Sequence, residues 1–354
     1  MLKSKIVSGL SIDAIKLLVA EYLLEYHNLV IKEIQQLIAL QSFQEALSLR
    51  LSDYPLRSGK GLRPALCFAM CQANGGSVEA ALPSATALEL FHNAFLVHDD
   101  IEDESINRRG NPTMHQIYGT AIAVNVGDAL NVLTMTPLLK NLEIIGLEKT
   151  LRVFREIERM GRESVEGQAM ELEWVKKNLW DLDDHHYFMM TSKKTCWYTC
   201  ITPCRIGSII GAGKEANLEI LESFGYNLGI AFQIQDDLLN LLGDEVKYGK
   251  ENAGDIWEGK RTLMLINLLQ RSSTKERKKI INILSKERSE KSESDVEFIL
   301  ELMKEHNSFE YGRNAAKNYA KKAKHILNKM DFLQENKHKD FLKGIIDYVI
   351  QREL

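Results

Sequence analysis

Two apolar helical runs in this chain each end in a cluster of carboxylates, and few folds can accommodate that pattern. The first run, Phe91-His92-Asn93-Ala94-Phe95-Leu96-Val97-His98, leads into Asp99-Asp100-Ile101-Glu102-Asp103. The second, Ile230-Ala231-Phe232-Gln233-Ile234-Gln235, leads into Asp236-Asp237. On a helix Asp99 and Asp103 share a face, and so do Asp236, Asn240 and Asp244. Carboxylates grouped this densely beside apolar side chains repel one another unless multivalent cations lie between them. Oxygen-only ligand sets select hard ions, Mg²⁺ first and Mn²⁺ second, and such ions reserve positions for phosphate oxygens. The pattern predicts an apolar cavity with a magnesium–diphosphate mouth.

The rest of the chain reads as helix. Pro is only 6 of 354 residues, and alternating β-branched strand patterns are nearly absent. Helices are expected over 11–41, from Pro64 through Cys67 and Cys71, and from Ser77 or Pro83 into the first acidic cluster. Further helices are expected over 119–139, 148–178, 182–211 and 216–243, from Arg261 onward, and over 308–353. Residues 42–63 read as a connection, Arg108-Arg109-Gly110-Asn111-Pro112 as a loop, and Lys247 to Lys260 as a polar, Gly-rich loop. Residues 273–297 are dense in Lys, Glu and Ser and read as a solvated charged helical hairpin. Composition is uniform, so the economical reading is one all-α domain over 1–354, a helical bundle with 1–50 as an N-terminal helical extension.

Composition also excludes function classes. Lys and Arg total 45 against 49 Asp and Glu, so the net charge of −4 points to neither nucleic acid nor an anionic membrane. No run reaches the ~20 apolar residues of a membrane span. The five cysteines show no zinc spacing and form i, i+4 stripes suited to a core, which fits a reducing cytoplasm. The pair His185-His186 after Asp183-Asp184 looks like a metal site but reads as a solvated helix start. The cations Lys60, Arg63, Arg108, Arg109, Lys194, Lys250 and Lys260 suggest two polyanion sites, one held through metal and one directly by Arg and Lys.

From Leu51 to Thr262 the chain resembles the trans-isoprenyl diphosphate synthases of the polyprenyl synthetase family. The resemblance is carried in order by Lys60-Gly61-Leu62-Arg63-Pro64, Asp99 to Asp103, Arg108-Arg109-Gly110, Gly167-Gln168, Lys194-Thr195, Phe232 to Asp237 and Gly259-Lys260. It implies an isoprenoid-synthase helical bundle around a central apolar cavity. It implies that Asp99, Asp103 and Asp236 hold Mg²⁺, three ions in all, with Asp100 and Asp237 supporting them. Arg108, Lys194 and Lys260 would grip the diphosphate of an allylic substrate, with Gln233 and Thr195 nearby. Isopentenyl diphosphate would rest without metal on Lys60, Arg63, His92 and Arg109, with Phe232 near its tail.

The same resemblance implies ionisation, condensation and elimination of a proton, and a homodimer. Product length is expected to follow from Phe95 and Ala94, with Phe91, Leu88 or groups on neighbouring helices closing the tunnel further down. Small Ala94 points to geranylgeranyl diphosphate. A farnesyl product, or a class I terpene cyclase on the same fold, is the alternative; the second cationic site favours the synthase. Two positions depart from the family pattern: Gly61 stands where another Arg is usual, and Asn240 where Asp is usual.

Overall fold

The computed structural model describes residues 12–57, 59–243 and 252–351. Lys250 and Asp244 lie outside the described residues. Among the described residues the fold is all-α apart from one two-residue hairpin. Helix α1 (Ile12–Leu40) lays Val19, Tyr26, Val30 and Ile34 against the bundle. It packs on α2 (Glu45–Leu56), α3 (Leu62–Ala73), α4 (Val78–Glu102) and the last helix, α17 (Lys337–Ile350). The connection expected over 42–63 therefore contains a helix, α2. Its sequence mixes Ser, Asp and Pro, and its order comes from tertiary contact through buried Leu51 and Tyr54.

Beyond Arg63 in its first turn, helix α3 is apolar on nearly every side, as suits a helix enclosed by others, and all but Gln72 of its residues are buried. Ser77 caps α4 by accepting from the Ala80 N–H at 3.2 Å, so α4 starts there and carries Pro83 inside it. After α4 come the hairpin strands β1 (Asn107–Arg108) and β2 (Asn111–Pro112) and the short α5 (Met114–Tyr118). Helices α6 (Thr120–Leu133) and α7 (Met135–Ile144) follow, then α8 (Gly146–Lys176). The stretch Thr120–Ile144 has a mean hydropathy of 1.3 over a span-length window. It is two helices meeting at Thr134, with one face packed on α4.

Helix α9 (Asp184–Thr191) begins at a capping box in which Asp183 accepts from the His186 N–H and the His186 ring returns to the Asp183 N–H. His186 is thus part of a helix start. The helix then widens into a ten-residue π-helical segment, Ser192–Ile201, before resuming as α10 (Thr202–Ala212). Helix α11 (Leu218–Leu242) packs against this segment, α10 and α16 (Ser308–Asn328). Between them lie α12 (Gly254–Glu258), α13 (Leu263–Arg271), α14 (Thr274–Leu284) and α15 (Glu293–Glu305). Along 273–297 most charged residues face outward while Ile280, Ile283 and Val296 turn inward, but Lys291 is buried and donates to the Trp257 carbonyl at 2.6 Å, so the stretch is not solvated throughout. All five cysteines are free and buried.

Candidate active site

A cavity of about 870 Å³ runs between α4, α8, the π segment and α11. Asp99 lines it from α4, and Asp236 and Asp237 from α11. The two acidic clusters, 133 residues or more apart in sequence, therefore belong to one site.

Neighbouring aspartates of the first cluster point different ways, because successive helical residues are turned by about 100°. Asp99 is partly exposed to the cavity. Asp100 is fully buried behind it, accepting from Tyr54 Oη at 2.7 Å and from Arg108 Nε at 2.9 Å. Asp103, which ends the helix, is covered by Lys260, whose Nζ donates to its Oδ2 at 2.5 Å. The second cluster repeats the division. Asp237 accepts from Tyr187 Oη at 2.8 Å and Gln233 Nε2 at 2.7 Å, and Gln233 Oε1 accepts from Thr195 Oγ1 at 2.8 Å. Burial raises the Asp103 carboxyl to about 7, an effect that Lys260 opposes and Asp99 reinforces. Burial likewise raises Asp237 to about 7, with the Asp236 charge adding to it. These carboxylates are electrostatically strained until more positive charge arrives.

The cations are placed by backbone devices. Arg109 and Gly110 form the two-residue turn of the hairpin with φ of +54° and +74°, the left-handed pair a tight hairpin demands. That turn sends Arg108 to Asp100 and Asp99, while Arg109 donates to the Tyr54 and Arg57 carbonyls at 3.2 and 3.0 Å. Lys194, from the π segment, bonds Glu171 and lies 3.3 Å from Asp99. Lys60, Arg63, His92 and Arg109 line one corner of the cavity together. There Arg63 donates to Thr199 Oγ1 at 2.9 Å and covers the Tyr198 ring at 4.2 Å. His92 is held well below its ordinary range by burial and by Arg63, Arg109 and Arg108, so it is a neutral imidazole.

Of the residues singled out from sequence, Lys60, Arg63, His92, Phe95, Asp99, Arg108, Arg109, Lys194, Thr195, Phe232, Gln233, Asp236, Asp237 and Lys260 all line this cavity. Phe91 and Ala94 are not among its lining residues, and Ala94 is fully buried in the core. Asn240 lines it, but its Oδ1 accepts from the Asp255 N–H at 3.0 Å and so fastens the start of α12. Gly61 adopts φ +57°, and His27 fills the space beside it: a Cβ there would meet His27 Cβ at 2.7 Å. Sequence reading missed Tyr54, Tyr187 and Glu171. Glu171 had the clearest signal, one helical turn after Gly167 on the face of α8 that meets Lys194.

Among the described residues no three carboxylate, His or Cys side chains form a closed metal cage. Mg²⁺ rarely uses one: it keeps waters and takes phosphate oxygens beside one or two carboxylates. Facing aspartates, with ammonium groups resting on two of them, fit such an ion.

The polyprenyl synthetase family matches residues 45–303. The chain is 32% identical to a short chain isoprenyl diphosphate synthase of Methanothermobacter thermautotrophicus, over 86% of this chain and 90% of that one. It is 34% identical to a geranylgeranyl diphosphate synthase of Saccharolobus solfataricus, over 83% of this chain and 86% of that one. Its fold superposes with a TM-score of 0.84 on the crystal structure of a geranylgeranyl pyrophosphate synthetase from Pyrococcus horikoshii, at 34% identity, covering 95% of this chain and 98% of that one.

Proposed function

The chain belongs to the polyprenyl synthetase family, and from that premise we propose that it condenses isopentenyl diphosphate with allylic diphosphates, yielding mainly geranylgeranyl diphosphate. It is a trans-prenyltransferase. The observation that carries the reading is the single cavity shared by both acidic clusters and by two separate groups of cations. A cyclase, which ionises one diphosphate, has no use for the second group.

Asp99, Asp103 and Asp236 would hold the magnesium ions, three by family resemblance, with Mn²⁺ able to substitute. Bound magnesium supplies positive charge to the leaving diphosphate. Arg108, Lys194 and Lys260 add fixed positive charge at the same place, preorganised by Asp100, Glu171 and Glu258. The allylic C–O bond breaks with its electron pair going to the diphosphate. The double bond of isopentenyl diphosphate, anchored on Lys60, Arg63, neutral His92 and Arg109, attacks the resulting cation. The proton then lost passes to the departing diphosphate, so no protein base is required. Gln233, locked between Thr195 and Asp237, offers its amide dipole to the cation. Phe95, Leu96, Leu172 and Phe232 wall the cavity and exclude water that would quench it.

A homodimer is supported by the apolar outer surface of α6 to α8, where Val132, Leu139, Leu147 and Leu151 are each about half exposed or more. Five buried, unpaired cysteines support a cytoplasmic location. The deciding experiment is incubation with labelled isopentenyl diphosphate, Mg²⁺ and each allylic starter, followed by mass analysis of the released prenyl alcohols. Incorporation to twenty carbons supports the reading. A hydrocarbon formed from geranylgeranyl diphosphate alone would establish the cyclase instead.

A further inference from the structure

The turn that carries Lys260 is fastened from outside the cavity by cations that hold its backbone. Helix α12 is capped by Gly259, whose φ of +70° reverses the chain, and the Lys260 N–H closes the turn on the Asp255 carbonyl at 2.8 Å. The two carbonyls that flank Glu258 each accept from a charged side chain. Lys291 Nζ donates to the Trp257 carbonyl at 2.6 Å, and the Arg261 guanidinium donates to the Gly259 carbonyl. Arg261 is itself fixed, over the Trp180 ring at 3.9 Å and against the Leu179 carbonyl at 3.2 Å. Arg288 lies 3.8 Å from Glu258, and Glu258 lies 2.7 Å from Lys260.

Lys291 is the unexpected member of this set. It comes from the connection between α14 and α15, in a charged stretch that mostly faces solvent. Lysine is seldom buried unless paired with a carboxylate, yet Lys291 is buried and spends its bond on a carbonyl. That carbonyl belongs to the last turn of α12, where the helix itself leaves acceptors unsatisfied. Three residues further on, Lys260 lines the cavity and rests on Asp103.

We propose that Lys291 is a positioning residue for the allylic diphosphate: by holding the Trp257 carbonyl it fixes the turn that aims Lys260 into the cavity. The inference rests on the elongation reading above and adds to that site a residue outside the cavity lining. The contact is sensitive to charge. Burial pushes the Lys291 ammonium down to about 8; Arg288 on its own segment and Arg261 on the facing turn lower it further, and Glu287 and Glu258 oppose them. A neutral amine donates a weaker bond than an ammonium. The grip on the allylic diphosphate therefore slackens as pH rises through about 8.

The test is Lys291→Met, which keeps the side chain's reach and removes the donor, beside Lys291→Arg, which keeps the charge. Full-length protein is assayed with Mg²⁺, labelled isopentenyl diphosphate and farnesyl diphosphate on both sides of about pH 8. At about pH 7 Lys291→Met should lower kcat/KM for farnesyl diphosphate about tenfold and leave the KM for isopentenyl diphosphate unchanged. The unaltered protein should lose kcat/KM for farnesyl diphosphate above about pH 8, and Lys291→Arg should retain it. Unchanged kinetics in Lys291→Met, an equal loss for both substrates, or the same alkaline fall in Lys291→Arg as in the unaltered protein overturns this inference alone. Failure of the unaltered protein to incorporate isopentenyl diphosphate overturns the functional reading, and this inference with it. Should Lys291→Met fail to fold, the pH profiles of Lys291→Arg and the unaltered protein decide the matter.

Discussion

Asp99 and Asp100 are adjacent and chemically identical, yet one faces the cavity while the other is wholly enclosed by Tyr54 and Arg108. Asp100→Asn should therefore act on stability as well as activity. It leaves a buried guanidinium short of its counter-charge, at a cost of about 3–5 kcal/mol in chemical denaturation. Tyr54→Phe, which loses bonds to Asp100 and to the Met114 N–H, should cost about 1–3 kcal/mol. The positions expected to set chain length separate in the same way. Ala94→Phe forces a ring into closed core and should lower stability by about 1–3 kcal/mol with product length unchanged. Phe95→Ala enlarges the cavity itself and should lengthen the product; mass analysis of the alcohols distinguishes the two.

The element that presents Lys194 and Thr195 is a π-helical segment, a feature frequent at functional sites. It is gripped from both sides by glycines. A Cβ at Gly167 would lie 2.2 Å from the Lys194 backbone nitrogen, and one at Gly229 would lie 2.7 Å from Cys196 Sγ. Gly167→Ala must push the segment away from α8, and with it the ammonium shared by Glu171 and Asp99. Its expected effect is a loss of at least about tenfold in kcat/KM for the allylic substrate. Steady-state kinetics against each substrate would check it, and the KM for isopentenyl diphosphate should rise as well, because Thr199 and Tyr198 of the same segment hold Arg63. The α2 helix and the short α12 were not legible as helices because neither has apolar periodicity of its own. Long helices such as α8 and α16 were, because each carries a 3.6-residue apolar stripe opposite a charged face.

For the whole molecule, the raised carboxyls fix a pH dependence. Asp103 and Asp237, at about 7 in the fold, sit above the ~3.9 of an unfolded aspartate. Such groups contribute stability that is complete below the unfolded value and is lost as pH rises through about 7. Magnesium with inorganic pyrophosphate, bound at the site as proposed, takes the ionised form and so should raise Tm more at about pH 8 than at about pH 5. Equal shifts at both would remove the site from the stability balance. The proposed homodimer is tested at this scale too: Val132→Glu with Leu139→Glu should leave only monomer in sedimentation velocity where the unaltered protein sediments as a dimer. The sequence alone determined the helical class and most of the charged residues that line the cavity, because helical period and charge chemistry are local properties. It could not show that Asp100 is wholly enclosed, that Ala94 lies outside the cavity lining, or that Asn240 fastens the start of α12. Which way a side chain faces, and what meets it there, depends on helices brought together from distant parts of the chain, and only their packing decided it.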